Sequence, residues 1–174
     1  MVVLDATVGG ANSNSYSTDA EIDSVLLEER IYGTAWSSLV VDDKKRVAIW
    51  GTLLLDSSFD LFGSKATTLQ ALRFPRVGLV NEDGETIASN INPPRLKKAL
   101  AEMCLSLARR DRGEEPEVIG QGFKFAKIDV LEVQVDSSQL LNIIPHSVAA
   151  LMAIFGTPKP SSTQGGGMVR LSRA

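Results

Sequence analysis

Residues 92–110, Asn-Pro-Pro-Arg-Leu-Lys-Lys-Ala-Leu-Ala-Glu-Met-Cys-Leu-Ser-Leu-Ala-Arg-Arg, carry the strongest periodic signal in the chain. Proline in the first turn of a helix leaves no N–H orphaned and has a φ already suited to the helix. Asn92 before Pro93 and Pro94 therefore reads as a helix start. Leu96, Leu100, Met103 and Leu107 follow at spacings of four, three and four, which puts them on one face. Lys98 and Glu102 are spaced to pair across one turn. This helix ends between Arg110 and Gly113, and its apolar face needs other elements to cover it.

Upstream, Asp42 or Asp43 can cap a helix whose apolar stripe is Val47, Trp50, Gly51, Leu53 and Leu54, with Lys44, Lys45 and Arg46 solvated. It fades at Asp56-Ser57-Ser58. Before it, Thr18 and Glu21 form a capping box. Ile22, Val25, Leu26 and Glu29 follow at helical spacing, and Gly33 supplies a stop, so the first helix runs from Asp19 to Tyr32. Residues 1–17 are rich in Gly, Asn and Ser and read as an irregular, extended arm. Between Phe59 and Ile91 no period is sustained. Gly63, Pro75, Gly78 and Asn81-Glu82-Asp83-Gly84 punctuate a long loop, of a length that tends to be functional.

Downstream, Phe123 to Val135 alternates in the manner of a β-hairpin, with Asp129 at the turn. Pro145 opens a last short helix through Val148, Leu151, Met152 and Phe155, closed by Gly156 and Pro158. The expected fold is mainly α: a small bundle of about four helices with a β-hairpin, the long loop 59–91, and extended N- and C-terminal arms. Residues 1–156 form the helical domain, and residues 157–174 form a Gly-rich basic tail.

Over 174 residues, 18 Lys+Arg stand against 21 Asp+Glu, a net charge of −3, and 44% of residues are hydrophobic. That composition suits one globular domain and excludes wholesale disorder. A single cysteine, Cys104, and a single histidine, His146, exclude a disulfide framework and a structural zinc site within one chain. The amino terminus lacks the basic flank and long apolar core of a secretory signal. Val148–Phe155 falls far short of the ~20 residues that span a bilayer. The expectation is a soluble protein in a reducing compartment, with no membrane partner.

Candidate catalytic groups are weak. His146, beside Pro145 at a helix start and without a nucleophile pattern, reads as a surface or capping residue rather than a general base. Cys104 keeps the period of Leu100 and Leu107 and reads as a small buried hydrophobe. Gly165-Gly166-Gly167 lacks the Lys-Ser/Thr ending of a phosphate loop and reads as a hinge. Asp42-Asp43 and Glu114-Glu115 are accounted for by capping and solvation. No catalytic, cofactor-binding or metal-ligating residue is assigned, and no reaction is expected.

The least ordinary stretch is Gln70-Ala-Leu-Arg73-Phe74-Pro75-Arg76, with Arg109, Arg110 and Arg112 as a second basic cluster. Two readings stand. Arg73 and Arg76 beside Phe74 can clamp phosphate and stack a base. Alternatively, Leu72 and Phe74 plug the helical core while the arginines pair with acids, which the net negative charge favours. The tail contains Lys159, Arg170 and Arg173 and no acidic side chain. With apolar Met168, Val169 and Leu171 it has the composition to dock on a partner.

Taken in order, several stretches resemble a family of tailed-bacteriophage head-tail connector (adaptor) proteins, some of whose members are labelled DnaT-like single-stranded-DNA-binding proteins. The matching residues are Asn14-Ser15-Tyr16, Trp36 to Leu39, residues 70–76, Pro93 to Met103, Lys127 to Val135, and the Gly-Gly-Gly-Met-Val-Arg-Leu-Ser-Arg-Ala end. The family pattern often has tryptophan where Phe74 stands, a departure that keeps an apolar plug. The resemblance implies a mainly helical subunit without enzymatic activity, repeated as a homo-oligomeric ring of about twelve copies. Such a ring sits in the virion neck after assembly in the host bacterial cytoplasm. Its partners would be the portal protein, a downstream tail or head-completion protein, and genomic double-stranded DNA passing through the channel without specific binding. The competing expectation is a single-stranded-DNA accessory protein using Arg73, Phe74, Arg76 and the tail.

Overall fold

The computed structural model describes residues 1–31, 33–110, 125–128, 131–134 and 144–159, with 125–128 and 131–134 described by their backbone alone. The chain is mainly helical, with small two-stranded antiparallel sheets. In chain order the elements are α1 (Asp19–Asp23), a π-helical turn (Ser24–Glu28), α2 (Thr34–Ser37), α3 (Val41–Ser58), β1 (Phe59–Leu61), β2 (Ser64–Lys65) and β3 (Arg76–Val77). They continue with α4 (Pro94–Arg109), β4 (Phe125–Ile128), β5 (Leu131–Gln134), α5 (His146–Met152) and β6 (Gly156–Pro158).

Helix α4 is the axis of the fold. It begins at Pro94 as the proline pair predicts. Its buried face holds Leu96, Leu100, Met103 and Leu107, and also Ala99, Ala101, Cys104 and Leu105. The burial is wider than a single stripe because α1, α2, α3 and α5 all pack against it. Asn92 does not cap this helix: its side-chain amide donates to the Tyr16 carbonyl at 3.1 Å and ties the N-terminal arm to the helix start.

The capping box at Thr18 and Glu21 is present, with the Glu21 N–H donating to the Thr18 hydroxyl and the Thr18 N–H to the Glu21 carboxylate. The first helix is shorter than its periodicity suggests. It passes into the π turn, which ends at Glu28 with Glu29 as its C-cap, while Tyr32 lies outside the described residues. The chain turns back there because Trp36, carried by α2, is fully buried and its indole N–H donates to Asp23 Oδ1 at 2.6 Å.

Helix α3 starts at Val41 after Val40, so neither Asp42 nor Asp43 caps it. Both stand in its first turn, where carboxylates suit the helix dipole. Its buried residues are Ala48, Gly51, Thr52, Leu54 and Leu55, whereas Trp50 is 43% and Leu53 52% exposed. The stripe is thus rotated from the expected one, because Gly51 faces Leu100, Cys104 and Leu107 of α4 and sets which side turns inward. Lys44 is not solvated either: it donates to Asp23 at 2.8 Å and lies 5.3 Å over the Trp36 ring.

Residues 59–91 are not a plain loop. β1 pairs with β6 in the register Phe59↔Pro158, Asp60↔Thr157 and Leu61↔Gly156, and β2 pairs with β3 through Ser64↔Val77 and Lys65↔Arg76. Gly156, which the sequence presents as a helix stop, is a strand residue. A Cβ there would stand 2.4 Å from the Asp60 carbonyl oxygen, so only glycine permits this crossing. The hairpin is present as β4 and β5, with Ile128 opposite Leu131, and Asp129 lies outside the described residues.

The N-terminal arm is irregular but does not reach away from the body. Asn14 bonds back to Asp5 and Val3, and the Ala71 N–H donates to the Gly10 carbonyl. Tyr16 at its end is buried to 1% exposure. Among the described residues no helix is long and apolar enough to cross a membrane.

Candidate functional site: the arginine clasp and the C-terminal side of the bundle

The stretch 70–76 is built into the molecule rather than presented on it. Phe74, flanked by a cis peptide bond to Pro75, is 2% exposed. Its ring stands edge-on to Tyr16, with centroids 5.6 Å apart, and to Phe155, with centroids 5.4 Å apart. This aromatic triplet joins the N-terminal arm, the loop and the segment after α5 into one core.

The arginines beside it bind backbone. Arg76 is 7% exposed, and its guanidinium donates from Nε to the Phe62 carbonyl (2.5 Å), from Nη1 to Arg73 (3.1 Å), and from Nη2 to Gly63 (2.6 Å) and Leu61 (3.4 Å). The planar fork gathers the carbonyls of the turn between β1 and β2 and that of Arg73 around one charge. Burial, followed by the nearby charge of Arg73, pushes the Arg76 guanidinium below its usual pKa. Arg73 Nη1 donates to the Asp56 and Phe59 carbonyls at 2.8 and 2.7 Å, and its backbone N–H to Asp56 Oδ2 at 3.1 Å.

Asp56, at the end of α3, completes the clasp. Its carboxylate accepts from the Tyr16 hydroxyl, and that hydroxyl accepts the Phe74 N–H at 3.3 Å. Burial, followed by the adjacent carboxylate, drives the Tyr16 hydroxyl well above its ordinary pKa. Burial also raises the Asp56 carboxyl, partly offset by the hydrogen bonds from Tyr16 and Arg73. Gln70 locks the loop from the other side by accepting the Thr67 N–H and donating to the carbonyls of Leu72 and Pro75. The sequence singles out Arg73, Phe74 and Arg76. Tyr16 and Asp56, 40 residues apart, give no local signal of their partnership.

The remaining candidates are scattered. His146 opens α5, and Cys104 is fully buried with its thiol pushed up by burial. Arg109 and Arg110 are exposed at the end of α4, while Arg112, Glu114 and Glu115 lie outside the described residues. Lys159 is exposed, and its backbone N–H donates to the Ser58 carbonyl at 2.8 Å, extending the β1–β6 pairing. Gly165 to Gly167 and the tail residues Met168, Val169, Arg170, Leu171 and Arg173 lie outside the described residues.

A cleft of about 400 Å³ opens between loop 81–91, the first turn of α4 and Ile154-Phe155. Its floor is apolar, with Ile87, Ile91 and Ile154, and its rim carries Glu82 and Asp83. Arg95 braces it by pairing with Glu82 at 2.6 Å and donating to the Leu151 and Ala150 carbonyls.

No curated protein and no solved structure matches the chain. A family model matches residues 1–174, and the chain belongs to that family, whose description is "Putative DnaT-like ssDNA binding protein".

Proposed function

We propose, with membership of that family as the premise, that this chain is a structural adaptor of a tailed phage. It assembles into a ring of about twelve copies at the head-tail junction, binds the portal protein, and meets a tail or head-completion protein on its other side. No reaction belongs to this role. The genomic duplex passes through the ring without specific contacts, because a net charge of −3 per copy, repeated around a channel, repels phosphate toward the axis. Such a protein resides in the virion neck after assembly in the host bacterial cytoplasm.

One observation carries the proposal: the face of α3 that points away from α4 presents Trp50 and Leu53 to solvent, with Val40 and Val41 also exposed at its start. Trp50 and Leu53, three residues apart on one face, form a large half-exposed apolar pair that a subunit can bury against a neighbour, whereas Val41 stands half a turn around the helix and is not part of it. The order of matching stretches along the chain, from Asn14-Ser15-Tyr16 to the Gly-rich end, supports the same role.

A second reading follows from the family description alone: a single-stranded-DNA accessory protein. Arg73 and Arg76 do not favour it, because the buried Arg76 guanidinium is spent on backbone carbonyls, Arg73 Nη1 is held by two more, and Phe74 has no face free for a base. It predicts binding that weakens steeply with salt as counterions are released. A flat gel-shift titration at low salt removes it, and tight salt-dependent binding establishes it. For the adaptor, deleting residues 165–174 is expected to abolish capture by the portal protein while the helical circular dichroism is unchanged. Undiminished capture contradicts the docking role of Met168, Val169, Arg170, Leu171 and Arg173.

A further inference from the structure

The geometry points to the cleft at the start of α4 as the resting seat of the chain's own C-terminal segment, Met168 to Arg173. Its release to the portal rests on the adaptor reading above; the contact itself does not.

Three features of the molecule lead there. First, the chemistry matches. The cleft floor of Ile87, Ile91 and Ile154 takes apolar side chains, and its volume of about 400 Å³ lies within the ~300–1,000 Å³ of typical small-ligand sites. Met168, Val169 and Leu171 supply that apolar content. Second, the charges are complementary. Glu82 and Asp83 line the cleft and Glu85 lies in the same turn, bonded to Asn81, opposed among the described lining residues by the guanidinium of Arg95, while the segment brings Arg170 and Arg173 and no acid.

Third, the tether reaches. Phe155 in the cleft wall is four residue steps before Lys159, so the two lie no more than about 14 Å apart. The nine steps from Lys159 to Met168 extend to about 30 Å, roughly twice what is needed. Gly165 to Gly167 place no Cβ in the way of a reversal. A segment tethered at that range meets its own cleft at an effective concentration on the order of millimolar, far above that offered by other copies in dilute solution. A portal that takes the segment must compete with the cleft, which keeps unassembled subunits from displaying an adhesive tail.

The test is disulfide trapping in the full chain. In the Ala88→Cys, Leu171→Cys double variant, position 88 lines the cleft, and the native Cys104 is fully buried and does not compete. The control pairs Leu171→Cys with Leu69→Cys, a residue 80% exposed and not part of the cleft lining. In dilute protein without portal, the 88–171 disulfide is expected to form about tenfold faster than the 69–171 disulfide. Adding Asp83→Lys and Glu85→Lys is expected to remove most of that advantage. Equal rates for the two pairs overturn the seat, and so does an 88–171 disulfide found only between chains, which places the segment in a neighbour's cleft. Adding portal protein is expected to slow the trapping. Fast trapping that portal leaves unchanged upholds the seat and overturns the release alone.

Discussion

Arg76 illustrates how a residue that reads as a ligand-binding group can be spent on the fold. Four carbonyls converge on its guanidinium, and none of them is visible as a set in the sequence, since Leu61, Phe62 and Gly63 at the turn between β1 and β2 meet Arg73, from the loop before β3, only in the folded chain. Hydrogen bonds to a buried charge are strong, and removing the donor leaves acceptors unpaired. Arg76→Ala is therefore expected to cost about 3 kcal/mol, seen as a fall of roughly 6–12 °C in the unfolding midpoint. Arg76→Lys is expected to recover little of it, because a single ammonium cannot fill a planar fork. Full recovery by lysine would show that charge alone suffices.

Tyr16 gives a pH dependence of definite sign. In the unfolded chain its hydroxyl loses its proton near pH 10, whereas in the folded protein burial and Asp56 hold the proton to a higher pH. Above about pH 10 the folded state binds more protons than the unfolded one, so stability falls as pH rises. Denaturant midpoints between pH 8 and 11 are expected to show this fall in the wild-type chain and not in Tyr16→Phe. In acid, two carboxyls oppose each other. Asp56, raised by burial, contributes stability that is lost as pH rises through its folded value. Glu21 behaves in the opposite sense: burial works to raise it, but Lys97 and Thr18 outweigh burial and hold it down, so its contribution is lost as pH falls. The prominence of Arg73, Phe74 and Arg76 was legible from an unusual local composition. Their employment was not, because it depends on partners far away in the chain.

Among the elements, α4 was the most legible, since a proline start and four leucine-like positions over 16 residues leave little else to fit. The hairpin was legible from its alternation. α3 was found, but its inward face was misread: large apolar residues such as Trp50 and Leu53 suggest a core face, whereas Ala48 and Gly51 let the backbone approach α4. A Cβ at Gly51 would stand 3.2 Å from Leu100 Cδ1 and 3.6 Å from both Cys104 Sγ and Leu107 Cδ1. Gly51→Ala is expected to stay within about 1 kcal/mol of wild type, because the helix gains what a slight shift of Leu100 costs. Gly51→Leu is expected to lose about 1–3 kcal/mol by overpacking. Urea midpoints of the two variants check this, and a tolerated leucine would mean that the α3–α4 contact is looser than it stands. β1, β2, β3 and β6 escaped sequence reading because strands of two or three residues are too short to show a period.

At the scale of the whole molecule, the N-terminal arm, the clasp and the segment after α5 close around a single core. Among the described residues, Trp50 and Leu53 on the outer face of α3 stay about half exposed. The N-terminal arm packs on its own body, so the adaptor proposal rests on the face of α3 and on the tail for contacts between subunits and partners. Trp50→Ser combined with Leu53→Ser is expected to leave the unfolding midpoint nearly unchanged, since both side chains are about half exposed, while weakening association between copies. Thermal melts beside sedimentation profiles separate the two effects, and a large loss of stability without loss of association would contradict the assignment of this face.

The most direct test of the adaptor reading is the light-scattering mass of the purified chain, taken alone, with its portal protein, and with labelled single-stranded DNA. A defined complex carrying many copies of the chain, formed with portal and indifferent to DNA, is the predicted result. A monomer or small oligomer that binds single-stranded DNA and ignores the portal would contradict it.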